Sequence, residues 1–382
     1  MAITWEVLDS VRAVEPAVAD WDRLAVAAGL PYCSPAWLMA WWRHASPAGA
    51  RLHVVAVRDG DRLVGVGPFH AIPWRAGLWT YSLLGSDTTL RIEPVVDPAV
   101  RHQTARSLAE SLSYASPPPG RVRLEGLPID SDWPRWLCEA WPSRRRPWRY
   151  TEPPIPAPTV PLGEGDVDGW LRTRSANFRQ QMRRARRKAD QDGATFRIAS
   201  TPQEIERDLV HFERLHNARW NWRGGSSALT RGIDRMLADA GGALIGQGRF
   251  LLMSLELNGR VIGCQLFVAA GCEMGYWNGG FDDDFGVYKP SMIGLVEAIR
   301  VSLERGFRRF DLGPGAQEFK YRFTSEQDLL LGHTLIPHGR SYPPSRALFA
   351  AEHARHAISR RLTREQKEQI KALVPRRGPT PG

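Results

Sequence analysis

The sequence FLLMSLELNGRVIGCQLFVAA, residues 250–270, decides the fold, because it contains two apolar runs joined by Asn258-Gly259. An Asn-Gly pair between such runs predicts a β-hairpin, since both turn positions require a positive φ angle. A third strand is predicted at 276–282 (YWNGGFD), an amphipathic helix at 290–305, and a last strand with a tight turn at 310–315 (FDLGPG). We therefore expect an α/β (α+β) fold, in which a mixed, mostly antiparallel sheet is flanked by helices.

The first part of the chain contains a similar hairpin. Residues 62–69 (RLVGVGPF) resemble residues 260–267 (RVIGCQLF), and each segment is the second strand of its predicted hairpin. This similarity suggests a duplicated unit. A Pro-rich polar stretch between the two halves predicts a linker or crossover. The predicted division is a first domain at 1–150, a linker at 151–165, a second domain at 166–340, and a basic C-terminal helix and tail at 341–382.

The composition is typical of a soluble globular protein, with 43% hydrophobic and 24% charged residues among 382. The N-terminus lacks the pattern of a signal peptide, and no apolar run approaches the roughly 20 residues that span a bilayer. The four cysteines form no CxxC pair. We therefore expect reduced thiols, no metal site and a cytoplasmic location.

The chain is strongly basic, with a formal net charge of +10 that comes almost entirely from arginine. Guanidinium groups suit phosphate and carboxylate partners, so the charge indicates an anionic ligand such as coenzyme A, tRNA, an anionic glycan or a lipid surface. Composition alone does not choose among these. Residues 172–188 contain eight basic groups and no acidic one. This segment is either a solvated basic helix or a clamp for an anionic carrier or substrate.

A second predicted helix, at 202–222, ends in a group of polar and aromatic residues. His216, Arg219 and Trp220 crowd its C-terminal end. They form a candidate rim for a substrate pocket. The alternative interpretation is that His216 is structural, because a histidine beside an apolar stripe often lies in the core.

Several elements, taken in their order and spacing, resemble a known family. The chain resembles the BioF2-like or CelD-type acetyltransferases of bacteria, a branch of the Gcn5-related N-acyltransferases (GNAT) that is also similar to the FemABX peptidyltransferases. The resemblance implies two tandem GNAT-like domains and transfer of an acyl group from a carrier to an amine. The matching elements are 34–38 (SPAWL), the Arg-rich segment 179–187, 215–220 (LHNARW), 276–282, 288–291 (YKPS) with Gly294, 310–315, and Phe319-Lys320.

The resemblance implies a carrier site around the third strand and the following helix, with acetyl-CoA or a longer acyl-CoA as co-substrate. Residues 286–294 lack the glycine spacing with which many GNAT enzymes hold a pyrophosphate. The helix N-terminus still offers free N–H groups, and Lys289 adds a positive charge. The predicted carrier-binding residues are Tyr276, Trp277, Asn278, Lys289, Ser291 and Gly294.

The sequence contains no His-Asp or Cys-His constellation, which favours direct attack by the amine over a covalent acyl-enzyme. Direct attack requires a general base, and the candidates are Asp282, which lies on the family's strand element, and His216. Tyr288 is the candidate for protonating the leaving thiolate. Arg219, Trp220 and Lys320 are predicted to bind substrate.

Three hypotheses for function remain open at this point. The first is an N-acyltransferase that uses acyl-CoA and a small-molecule, glycan or lipid amine, in making a surface polysaccharide or lipid. The second is a FemABX-like enzyme that takes an amino acid from aminoacyl-tRNA. The third is a non-catalytic accessory protein. None of them involves DNA, and we expect at most peripheral contact with a membrane.

Overall fold

The structure is a computed structural model that describes residues 3–89, 91–221 and 228–361, with the backbone alone at 219–221 and 356–361. The first half contains β1 (Ile3–Leu8), α1 (Val11–Val14), α2 (Val18–Ala27), α3 (Pro35–Ala45), β2 (Arg51–Asp59), β3 (Arg62–Pro73), β4 (Trp79–Leu83), β5 (Val95–Val96), α4 (Arg101–Ser113), β6 (Pro119–Pro128) and α5 (Trp133–Ala140). The second half contains β7 (Trp148–Thr151), β8 (Ile155–Pro161), α6 (Val167–Arg172), α7 (Ala176–Gln191), β9 (Thr195–Ile198), α8 (Pro202–Asn221), α9 (Ile233–Ile245), β10 (Phe250–Leu257), β11 (Arg260–Ala270), β12 (Glu273–Phe281), α10 (Pro290–Glu304), β13 (Arg309–Asp311), β14 (Gln327–Ile336) and α11 (Tyr342–Arg361).

Within the described residues, fourteen strands form one continuous sheet in the order β1-β2-β3-β4-β6-β14-β8-β13-β12-β11-β10-β9, with β5 beside β3 and β7 beside β14. The pairs β4–β6 and β12–β13 are parallel and the other pairs are antiparallel. The predicted hairpin is present, with φ angles of 51° at Asn258 and 74° at Gly259. The predicted mixed, mostly antiparallel α/β fold is confirmed.

The two halves share one order of elements. In the first half it is β1-α2-α3-β2-β3-β4-α4-β6, and in the second it is β9-α8-α9-β10-β11-β12-α10-β13. In both halves an arginine that begins the second hairpin strand binds an aspartate ahead of the long helix. The atoms are Arg62 Nη2 and Asp97 Oδ2 at 2.7 Å, and Arg260 Nη2 and Asp282 Oδ2 at 2.6 Å. This agreement at side-chain level supports the duplication that the sequence suggests.

Strand pairing joins the two halves. The segment expected to link them, 151–165, contributes β8, which pairs with β13 and β14 of the second half. β14, near the end of the second half, also pairs with β6 of the first. The division at 150 and 340 remains a prediction: β7 runs across position 150, and position 340 lies between β14 and α11.

In the second half, one apolar core lies on each face of the sheet. The first contains residues of both halves, such as Trp37 of α3 and Phe212 of α8, and the second lies under α6, α7 and α10. Burial of apolar surface shared by the halves fixes their relative position. In the described part of the chain, no helix combines the length and apolar character needed to span a bilayer.

Candidate active site

A gap opens in the sheet where β12 and β13 separate. These parallel strands pair only at 273–275 and 309–311, after which 276–279 and 312–314 line opposite sides of a cavity of about 710 Å³. A β-bulge precedes the gap, since Leu266 faces Asn278 and Phe267 faces Tyr276, which leaves Trp277 as the extra residue. Bulges redirect side chains and are frequent beside active sites.

The gap is lined from both faces of the sheet. Tyr276 packs on Phe267 of the second core, with 5.5 Å between ring centroids. Its neighbour Trp277 turns to the other face, where it packs against Trp37 at 5.9 Å and Phe212 at 6.0 Å. Tyr276 and Trp277 therefore place their side chains on opposite faces of the sheet.

Five predicted site residues line this cavity: Tyr276, Trp277, Asn278, Ser291 and Lys320. The first half contributes side chains that the sequence reasoning missed. These are Tyr32, Ser86, Asp87, Thr88, Thr89 and Arg91. The signal for most of them is a polar run, 86–89, directly after the buried strand β4.

Lys320 holds the turn at one end of the cavity. Its Nζ donates hydrogen bonds to the carbonyl oxygens of Gly313 at 2.9 Å and Pro314 at 2.8 Å, and only 4% of the residue is exposed. Burial lowers the pKa of Lys320 to about 8, against the opposite effect of Asp311. Asp311 Oδ1 in turn accepts from the backbone N–H of Gly313 at 2.8 Å. Lys320, predicted to bind substrate, thus also shapes the wall that a substrate would meet.

Arg91 connects the first half to this turn. Its Nε lies 2.5 Å from Asp311 Oδ2, and its Nη2 lies 2.6 Å from Asp328 Oδ2. Burial alone would lower the pKa of Arg91, yet the two carboxylates raise it. The guanidinium therefore stays charged and neutralises acidic groups in the wall of the cavity.

Tyr32 contributes a buried hydroxyl group. The residue is 5% exposed, its ring packs on Trp37 at 5.3 Å, and within the described residues the hydroxyl has no hydrogen-bond partner. Burial, followed by the charge of Asp311, raises the pKa of Tyr32 well above its ordinary value. Tyr32 therefore keeps its proton.

Asp282, a predicted catalytic residue, is absent from the described lining of the cavity. Its carboxylate binds Arg260 and accepts from the backbone N–H of Asp284 at 3.2 Å. Asp97 does the same in the first half, with Arg62 and with the N–H of Ala99 at 3.1 Å. These contacts fix the turn before the long helix in both halves, and the catalytic role of Asp282 remains a prediction.

Tyr288 and His216 also lie away from the described lining. The Tyr288 hydroxyl donates to Asp192 Oδ2 at 2.7 Å, at the end of α7. His216 is 1% exposed, and its Nδ1 lies 3.3 Å from the carbonyl oxygen of Gly279. It therefore sits behind β12, one residue away from the cavity. The side chains of Arg219 and Trp220 lie outside the described residues.

Residues at the start of α10 make packing contacts as well as lining the cavity. Lys289 is exposed and caps the helix with a φ angle of 51°. Gln265 Nε2 donates to the carbonyl oxygen of Ser291 at 2.8 Å. Gly294 makes room for this glutamine, because a Cβ there would lie 2.1 Å from Gln265 Oε1. Gly294, predicted to bind the carrier, thus allows α10 to pack closely on β11.

The basic helix α7 packs on the second half through Phe178, Met182 and Ala185. Arg183 and Arg187 are exposed on the rim of a groove of about 490 Å³ between α6, α7 and α10. The described residues contain no group of three or more His, Cys, Asp or Glu side chains that could hold a metal ion.

Residues 176–321 match the profile of the acetyltransferase (GNAT) domain. A search of curated proteins gives no match. Three solved structures of similar fold were compared. The crystal structure of FemX has a TM-score of 0.58 at 13% identity, covering 84% of this chain and 96% of that one.

The C-terminal domain of a putative lysylphosphatidylglycerol synthetase from Agrobacterium fabrum has a TM-score of 0.57 at 12% identity, covering 88% and 96%. The L-PGS of Bacillus licheniformis has a TM-score of 0.50 at 12% identity, covering 84% and 97%. At these identities the likeness shows the fold alone, and the BioF2-like or CelD-type branch remains a prediction. The chain carries a GNAT-like acetyltransferase domain and shares its fold with FemX and with lysylphosphatidylglycerol synthetase domains.

Proposed function

We propose that the protein is an N-acyltransferase that transfers an acyl group from acetyl-CoA or a longer acyl-CoA to an amine by direct attack. The observation that carries the proposal is the gap between β12 and β13, which is lined by bulged backbone and opens into a cavity of about 710 Å³. A gap of this kind can hold a thioester in an extended conformation. An amine can then approach the carbonyl from the opposite face.

The carrier is proposed to lie along β12, with its acyl carbonyl beside the backbone of 276–279. Backbone N–H groups there would stabilise the oxyanion that forms during attack. Its phosphates would lie at the start of α10, near Ser291 and Lys289. The free N–H groups and the positive end of the helix dipole favour anions there.

The reaction needs a base for the amine and a donor for the leaving group. Asp87 lines the cavity from the first half, and desolvation raises the pKa of this carboxyl group. We assign Asp87 as the base, directly or through water. The amine nitrogen attacks the thioester carbon, its proton passes to Asp87, and the C–S bond breaks. The leaving thiolate takes a proton from water.

Calorimetry with acetyl-CoA, longer acyl-CoA and free coenzyme A tests the proposal. We expect micromolar binding that Lys289→Glu weakens and that Arg12→Glu, an exposed charge reversal on α1, leaves unchanged. Activity is then measured as acyl transfer to amines of polysaccharide or lipid precursors. Absence of binding by every thioester, in a protein that melts cooperatively, would favour a non-catalytic accessory role.

A second candidate is the FemABX-like transfer of an amino acid from aminoacyl-tRNA to an amine. The specific observation in its favour is the exposed face of α7, where Arg183, Arg184 and Arg187 form no ion pair with any described residue. Binding of tRNA that falls steeply with salt, and is lost on reversing these three charges, would favour this candidate. Binding of acyl-CoA without binding of tRNA would reject it.

A further inference from the structure

A second cavity of about 520 Å³ adjoins the first, and Tyr32, Arg91 and Asp311 line both. The loop between α2 and α3 closes one side of it. The other sides are formed by residues 128–130 after β6 and by the first residues of β12 and β14. We propose that this second cavity binds a cationic group of the acyl acceptor. The acceptor is then a diamine or a basic amino compound, and this proposal rests on the proposed function.

The first argument is charge. Five carboxylates line the cavity against two guanidinium groups, those of Arg91 and Arg309. Both arginines are already engaged. Arg91 binds two of the carboxylates, and Arg309 binds Glu273 at 2.9 Å and also Asp328. The five carboxylates are those of Glu93, Asp130, Glu273, Asp311 and Asp328.

Two acidic groups remain without an arginine. Within the described part of the chain, neither Glu93 nor Asp130 forms an ion pair, and Glu93 receives only a 3.3 Å hydrogen bond from Ser131 Oγ. Burial, with a smaller contribution from Asp130, raises the pKa of Glu93 to about 7. A bound ammonium would favour the ionised form of Glu93 and relieve its repulsion by Asp130.

The second argument is the unpaired hydroxyl of Tyr32. This residue is more than nine-tenths buried, and a Cβ on Gly275 would lie 2.8 Å from its hydroxyl oxygen. Gly275 lines the second cavity and is not among the described lining of the first. The free hydroxyl is therefore directed to the acidic cavity. Buried hydroxyl groups form hydrogen bonds in most proteins, so we expect a ligand group to bond to this one. An ammonium N–H can donate a hydrogen bond to the Tyr32 hydroxyl oxygen.

The shared wall explains why the acceptor needs two basic groups. One amine reacts in the first cavity as the neutral nucleophile, while the other stays protonated in the second. Arg91, Asp311 and Tyr32 separate the two positions, so a short chain between the groups suffices. The proposal adds no chemical step, because the anchored ammonium keeps its proton.

The experiment is direct binding of cadaverine, putrescine and pentylamine by calorimetry, without any acyl donor. Pentylamine has the length of cadaverine but one ammonium group. We expect cadaverine to bind at least about tenfold more tightly than pentylamine, as for an added charge-assisted contact. The preference should disappear in Glu93→Gln and Asp130→Asn. Glu139→Gln, which alters an exposed acid on α5, should keep it.

Two outcomes would overturn the proposal. One is equal binding of the diamines and pentylamine, which includes the absence of binding by any of them. The other is an unchanged preference in both variants. Thermal unfolding of each variant establishes that it is folded. The two conservative changes are tested separately, so that the proposal can still be tested if one variant does not fold. Because no donor is present, diamine binding together with absent coenzyme A binding would reject the proposed function and keep the cation site.

Discussion

The guanidinium of Arg91 lies 2.5 Å from the carboxylate of Asp311, and this ion pair joins the first half of the chain to the turn that forms the cavity wall. Asp311 in turn accepts the N–H of Gly313, whose carbonyl oxygen accepts from Lys320. A continuous series of contacts thus runs from the loop after β4 to the separation of β12 and β13. The geometry of the candidate site therefore depends on both halves.

Arg91→Ala is expected to lower the free energy of unfolding by about 3–5 kcal/mol, because it leaves the buried carboxylate of Asp311 without its charged partner. Asp311 is 4% exposed, so water cannot replace the lost charge. Urea denaturation gives the measurement. The control is Arg23→Ala, which breaks an exposed pair with Asp20 and should cost about 0–1 kcal/mol. Equal effects of the two changes would contradict the importance of the ion pair.

Asp282→Asn should affect stability and leave turnover nearly unchanged, because its carboxylate caps a turn and binds Arg260. We expect a loss of about 1–2 kcal/mol. The matched control is Asp97→Asn, which removes the equivalent contacts in the first half. Similar losses of stability with similar kcat values would support a structural role for both. A collapse of kcat in Asp282→Asn alone would restore it as the general base.

The sequence could predict the parts of the fold that depend on neighbouring residues. The hairpin at Asn258-Gly259 follows from turn chemistry, and the order of strands and helix follows from apolar periodicity. The resemblance to the GNAT family implies Tyr276, Trp277 and Asn278 at the site, because they lie on the family's strand element. It implies Lys320 likewise, through the family's closing element.

The contribution of the first half could not be predicted in this way. Arg91, Tyr32 and Asp87 belong to the first half, which β14 joins to the second by pairing with both β6 and β8, and pairing over such separations leaves no local pattern. The role of Asp282 was ambiguous for another reason. An aspartate at this position can be either a helix cap or a general base, and the equivalent contacts of Asp97 favour the cap.

Asp87→Asn is expected to reduce kcat by about 100-fold or more while leaving coenzyme A binding intact, if Asp87 accepts the proton of the amine. Because the pKa of this carboxyl group is raised, wild-type activity should increase with pH through that raised value. The activity of Asp87→Asn should lack this increase with pH. Glu318→Gln, a change at another carboxylate that lines the cavity, is the control. An unaltered profile in Asp87→Asn would assign the base elsewhere.

Gly294→Ala is expected to destabilise the protein by about 1–3 kcal/mol, because the new methyl group overlaps Gln265. Gln265→Ala in the same chain should restore part of that loss. The first half has the reverse arrangement. There the glycine, Gly67, lies on the strand, and the larger residue, Leu108, lies on the helix. As control, Gly242→Ala on α9 meets no atom within 4 Å and should stabilise by up to about 1 kcal/mol. Failure of Gln265→Ala to rescue would contradict this account.

Lys320 should make stability depend on pH above neutrality. Its folded pKa of about 8 lies below the ordinary value of 10.5, so the unfolded chain binds more protons between these limits and stability rises with pH. Relative to Lys320→Met, the wild type should therefore gain about 3 kcal/mol in free energy of unfolding from pH 8 to pH 10.5. Urea denaturation at several pH values measures this difference, in which the other titrating groups cancel. A difference that stays constant, or falls as pH rises, would show that Lys320 remains charged in the folded protein and that its contacts with Gly313 and Pro314 outweigh the cost of burial.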